Sequence, residues 1–128
     1  MATIFSKIIS GEISCYKIAE DEKHLAFLDI NPLTMGHTLV IPKHEIDYIF
    51  DMDNASISDL HIFAKQVSIK IKKAIKCKKI GMAIIGLEVP HAHIHLIPIN
   101  NVNDMNFANT KLKPTSDELT NIVKMINS

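Results

Sequence analysis

His91-Ala92-His93-Ile94-His95-Leu96-Ile97-Pro98-Ile99 alternates histidine with apolar residues in strict order over its first six positions. Side chains of a β-strand point to opposite faces in turn, so the run predicts a strand with His91, His93 and His95 on one face. Ala92, Ile94 and Leu96 fall on the other face and read as core. Neighbouring histidines would then lie about 6.6 Å apart along the strand. Three groups that titrate near neutrality share one small patch. Packing alone explains such a row poorly.

The chain around this run has 128 residues, a length that fits one domain, 1–128, with one core. Its 47% hydrophobic content is ordinary for a globular protein. Fourteen basic and fourteen acidic side chains leave no formal net charge. That balance argues against nucleic acid or an anionic membrane surface as a partner. No apolar run approaches the roughly 18 residues of a membrane span, and no secretory signal pattern is visible, so a cytoplasmic protein is expected. Cys15 and Cys77 are the only cysteines and stand in no metal-ligand spacing, which reads as two free thiols.

Working outward from the histidine run, the apolar patterning predicts strands at about 16–20, 24–28, 37–41, 80–85 and 93–97. Residues 3–9 read as a short helix ended by Ser10-Gly11. Residues 31–36 are a loop by composition, and Pro42 stops the strand that begins at His37. Ile57, Leu60, Ala64, Val67, Ile71 and Ala74 recur at spacings of three and four, predicting a long helix over 54–76 with one apolar stripe. Ser56 and Asp59 resemble a cap at its start. A last helix is expected from about Asp117, with Thr115 and Glu118 spaced as a capping box. The lysines at 70, 72, 73, 76, 78 and 79 read as a solvated helix end. The layout is α+β: an antiparallel sheet of about five strands, one long helix packed on it, and short terminal helices.

Three readings of the histidine row stay open on the residues alone. Histidines at i, i+2 can share a metal ion, but rings on one flat strand point in parallel and the outer pair would be about 13 Å apart. The rings could instead be half-buried and satisfied by backbone groups. Or a neutral imidazole attacks phosphorus while its neighbours orient it and donate to phosphate oxygens.

His91-Ala92-His93-Ile94-His95-Leu96-Ile97 matches the histidine triad (HIT) pattern, His-φ-His-φ-His-φ-φ with φ apolar. Ile4-Phe5-Ser6-Lys7-Ile8-Ile9-Ser10-Gly11-Glu12-Ile13 resembles the opening segment of that family. Leu25-Ala26-Phe27-Leu28-Asp29-Ile30-Asn31-Pro32 and Gly36-His37-Thr38-Leu39-Val40-Ile41-Pro42-Lys43 resemble its two middle blocks. The four blocks stand in the family's order over about residues 3–99, leaving 100–128 as a tail and helix that match no motif. The chain resembles the Hint-like branch, small purine nucleotide hydrolases with a HIT-like fold.

The resemblance implies that His93 attacks the α-phosphate of a purine nucleotide of AMP or GMP type and carries a nucleotidyl intermediate. It implies that His95 contacts phosphate and assists the leaving group, that His91 orients the nucleophile, and that His37 stands close to the triad. Asp29 would bind the ribose hydroxyls. Ile4, Phe5, Ile8, Phe27, Leu28 and Ile30 would wall the base, and the Gly86-Leu87-Glu88 loop would face the phosphate. The activity implied is an adenosine phosphoramidase-like hydrolase without cofactor or catalytic metal, in a homodimer. A dinucleoside polyphosphate hydrolase and a nucleotide-binding regulatory protein with little turnover are the alternatives.

Without the resemblance, Ile4, Phe5, Ile8 and Phe27 read as plain core, Asp29 as a turn residue and His37 as a packed strand residue. His24, His44 and His61 read as surface. Two departures from the family stand out, beside a shortening of its Asn-rich, Gly-rich stretch to Gly81-Met82-Ala83-Ile84-Ile85-Gly86. Many members carry Cys-x-x-Cys near the N-terminus, which binds a structural zinc with two histidines; here Thr3 and Ser6 stand at those positions. His44 and His91 are then former ligand positions. The loop usually reads Gly-Gln-Ser/Thr/Glu, and Leu87 lacks that amide. Glu88 would repel phosphate if it faced the site, so it is expected to point elsewhere or to meet a lysine.

Overall fold

The computed structural model describes residues 2–128. Helix α1 (Ile4–Ser10) starts at Thr3, whose hydroxyl accepts from the Ser6 amide while the Ser6 hydroxyl accepts from the Thr3 amide. This reciprocal cap satisfies two donors that the first turn would leave open. Gly11 ends the helix at φ +87°, where a side chain would be strained. Strands β1 (Lys17–Glu20) and β2 (His24–Leu28) form a hairpin, and β3 (Thr38–Pro42) follows the 31–36 loop. Pro42 does not precede the end of β3 but closes it, opposite His24.

Helix α2 (Asn54–Ala74) is capped by Asp53, which accepts from the Ser56 amide. The expected Ser56–Asp59 arrangement lies one turn too late; Asp53 is the residue with extended backbone, as a cap requires. β4 (Lys79–Ala83), β5 (Ile94–Ile99) and α3 (Ser116–Ile126) complete the regular elements. Thr115 and Glu118 close the expected capping box of α3. The five strands form one antiparallel sheet in the order β1-β2-β3-β5-β4.

Period-two alternation sorts the strand residues onto two faces. Ala26, Leu28, Val40, Ile94 and Leu96 share a core with Leu60, Phe63, Ala64, Val67 and Ile71 of α2 and with Leu119, Ile122 and Ile126 of α3. Leu25, Phe27, Leu39 and Ile41 point the other way and form a second, smaller cluster with Phe5. The chain therefore builds one core on each side of the sheet. His24, expected at the surface, is buried: its ring stacks on Phe63 at 5.0 Å and its Nδ1 lies 3.0 Å from Asp21 Oδ1. Among the described residues no helix is long and apolar enough to cross a membrane. Both cysteines are free thiols.

Candidate active site

Strand pairing puts the histidines on the face of the smaller cluster. Phe27 pairs with Leu39, and Leu39 pairs with His95, so these three lie in one row across β2, β3 and β5. Directly opposite residues share a face. β5 begins only at Ile94, so His91 and His93 precede the strand rather than sharing it with His95. The three rings do not form the straight row that the alternation predicts. His93 lies 4.9 Å from His95 between ring centroids, while His91 is sealed beneath Phe5. The apolar partners Ala92, Ile94 and Leu96 are buried on the α2 face as the alternation requires.

Hydrogen bonds decide the tautomer of each ring. His93 Nδ1 lies 2.7 Å from the carbonyl oxygen of His91, which can only accept. Nδ1 therefore carries the proton, and the lone pair sits on Nε2. The Leu33 amide donates to His37 Nδ1 at 3.0 Å, so a neutral His37 holds its proton on Nε2. That proton is donated across 3.0 Å to His95 Nδ1, which leaves His95 presenting an Nε2–H donor. Burial keeps the rings neutral: it pushes His37 down to about 3 and His95 down to about 4, and it lowers His91 and His93 as well. One imidazole lone pair and one imidazole N–H thus stand side by side at physiological pH.

Beside them lies a cleft of about 320 Å³, within the range of small-molecule sites. Ile4, Phe5, Ile8, Phe27, Leu28 and Ile30 wall it, and Asp29, Glu88, His93 and His95 supply its ionisable groups together with Cys15 and Tyr16. Burial raises the Asp29 carboxyl, and its Oδ1 accepts from the Asn31 amide, a turn role that coexists with a place in the cleft. His37 lies behind His95 rather than on the lining. Gly86, at φ +75°, and Leu87, 89% exposed, lie outside the lining. Glu88 neither turns away nor meets a lysine: it stands on the cleft wall, where its charge adds to the burial that raises Asp29 and opposes the burial that lowers His93.

Sequence reasoning missed Ile13, Ser14, Leu39 and Val89, which also line the cleft. Leu39 becomes legible only through its pairing with Phe27. It also missed Phe107, whose ring meets His95 edge-on at 4.9 Å and His37 at 6.4 Å. The tail that carries it is fixed where the Leu112 amide donates to the Pro32 carbonyl. A larger cleft of about 450 Å³ runs past Lys23, His24, Lys43, His44 and Asp59. Its only buried histidine, His24, is already committed to Asp21 and Phe63.

Neither candidate metal set fits an ion. The donor atoms of Asp29, His37 and His95 lie within 4.8 Å of one another. Yet His37 Nε2 holds a proton, and binding there would leave an imidazolate while Nδ1 stays committed to the Leu33 amide. At the zinc position implied by the resemblance, the Thr3 and Ser6 hydroxyls satisfy each other in the α1 cap. They are hard neutral oxygens in place of thiolates. His91 donates from Nε2 to the Pro42 carbonyl at 2.8 Å, and its buried Nδ1 meets no partner.

Comparison with known proteins adds the family. Residues 10–102 match the HIT domain family model. An uncharacterised HIT-like protein of Borreliella burgdorferi is 42% identical over 102 residues, 74% of this chain and 73% of that protein. An adenosine 5'-monophosphoramidase of Schizosaccharomyces pombe is 38% identical over 103 residues, 77% of this chain and 74% of that enzyme. Among solved structures, a HIT-like protein from Bartonella henselae has a TM-score of 0.84 at 28% identity, covering 97% of this chain and 92% of the other.

Proposed function

The chain belongs to the HIT domain family, and from that premise we propose that it is a nucleotide hydrolase acting at the α-phosphate through a covalent nucleotidyl-His93. The supporting observation is the His93 Nδ1–H bond to the His91 carbonyl, which leaves Nε2 free beside the cleft. The Nε2 lone pair forms a bond to phosphorus. The bond from phosphorus to the leaving nitrogen breaks, its electron pair stays with that nitrogen, and water supplies the proton. His95 donates a hydrogen bond from Nε2–H to a phosphoryl oxygen. Attack makes the His93 ring cationic, and the His91 carbonyl 2.7 Å from Nδ1 stabilises that charge. Water then attacks phosphorus, the pair of the P–N bond returns to Nε2, and the nucleoside monophosphate leaves. Asp29 accepts from the ribose hydroxyls, and the apolar wall takes the purine.

The test is AMP release from adenosine 5'-phosphoramidate with EDTA present. Release by wild type, lost in His93→Ala, with a nucleotidyl adduct trapped by rapid quench, is the expected result. AMP binding without release would favour the competing reading, a nucleotide-binding protein. The exposed Leu87 speaks for that reading, because it contributes no polar group to the cleft.

A further inference from the structure

The charge of the cleft is unusual for a phosphate site. Among its described lining residues there is no lysine or arginine, and the two carboxylates of Asp29 and Glu88 stand beside neutral imidazoles. The chain turns at Gly86, sends Leu87 into solvent, and brings Glu88 to the wall on the segment that leads into His93. Glu88 therefore lines the same cleft as His93, and its charge acts on both His93 and Asp29. Lys111, whose charge reaches Asp29 and His37, is not on the lining, and its Nζ donates to the carbonyls of Phe107 and Asn109.

We propose that Glu88 makes the cleft select a cationic leaving group, so that the preferred substrate is a nucleoside phosphoramidate of an amine bearing a second, positively charged group. The inference rests on the nucleotidyl-transfer reading above and narrows its substrate class. A phosphoramidate brings one negative charge to phosphorus. An ammonium beyond the P–N bond offsets it and pairs with the Glu88 carboxylate. A polyphosphate leaving group places further negative charge beside two carboxylates with no cation to receive it. Glu88 is exposed at the mouth, so the selection is modest, about threefold to tenfold.

The experiment uses the full chain and three AMP conjugates: the phosphoramidate of 1,4-diaminobutane, that of butylamine, and a dinucleoside triphosphate. Wild type is expected to show kcat/KM in that descending order, with the diamine about threefold to tenfold above butylamine. Glu88→Gln collapses that ratio towards one, and Glu88→Lys inverts it. Equal values for the two amines in wild type, or a preference that both variants retain, overturn the inference while leaving the hydrolase intact. If wild type turns over none of the three, the hydrolase reading fails. The same ratio is then read from Kd by calorimetry. Tighter diamine binding that Glu88→Gln abolishes supports the selection by Glu88, and equal Kd in wild type overturns it.

Discussion

The two faces of the sheet use the same strands for opposite ends. On the α2 face, Ala26, Val40 and Ile94 are fully buried against Leu60, Val67 and Ile71, which are themselves 0–1% exposed. That cluster is apolar, with Tyr16 packed against it and the buried His24 ring stacked on its Phe63. On the other face, α1 has only seven residues and buries only Phe5. The short helix cannot cover the row from Phe27 to His95, and the uncovered part is the cleft. The contrast teaches that the site exists because its face is under-covered. The α2 core supplies the rigidity that holds the imidazoles of the site in place.

The largest effects should separate the faces cleanly. His93→Ala is expected to lower kcat by about 10³-fold or more, since a covalent step has no substitute nucleophile beside it. Its thermal midpoint should fall less than for a core truncation, because the buried ring gives up an edge contact with Phe5 at 5.0 Å and one bond to the His91 carbonyl. Leu60→Ala should do the reverse, costing about 2–5 kcal/mol of stability for an emptied core position while the folded fraction keeps its kcat. Denaturant melts alongside single-turnover rates check both. A Leu60→Ala enzyme that folds normally yet turns over slowly would break the division between faces.

How far the sequence reveals each face follows from the same contrast. The α2 face was legible because its signal is local: a stripe at spacings of three and four, strands of period two, and the Thr115–Glu118 cap. Phe63 escaped the stripe although it is buried. The site face was only partly legible. The alternation places His95 correctly with respect to Ile94 and Leu96, yet nothing local says that the strand starts after His93. The His37–His95 bond joins positions 58 residues apart and depends on the amide of Leu33. Phe107 lies in a polar segment with no period, so only tertiary packing brings it to His95. Glu88 lines the cleft although electrostatics alone argue that a carboxylate should avoid phosphate.

A pH series sharpens the comparison next. The histidines of the site face are held below the value near 6.5 that they have in an unfolded chain, with His95 at about 4 and His37 at about 3. Below pH 6.5 the unfolded state binds protons that the folded state refuses, so stability falls as pH drops from about 6.5 towards 3. Above that window these groups are neutral in both states and contribute no slope. By the lowering of His93, the acid fall of kcat/KM should be centred below pH 6.5, where a free imidazole would already be half protonated. Leu60→Ala should move the melting curve by a similar amount at every pH, because the side chains buried with it, such as Val67 and Ile71, are apolar. A fall of kcat/KM centred at 6.5 would show that the rings are solvated as free imidazole is.

The smallest expected effect concerns the tail. Phe107 sets its ring edge against His95 at 4.9 Å and completes the cover that α1 leaves open. Edge-to-face aromatic pairs contribute about 0.5–1.5 kcal/mol, so Phe107→Ala should lower kcat/KM by roughly twofold to tenfold. Removing the ring also lets water reach His95, and less desolvation moves its pKa up from about 4 towards the free value. An NMR titration of the His95 ring reads that shift directly, independently of any loss of stability. Phe107→Leu keeps the apolar cover without the aromatic edge and should recover the low pKa but not the full rate. If His95 titrates identically in all three proteins, the tail packs beside the site without acting on it, and the under-covered face ends at α1.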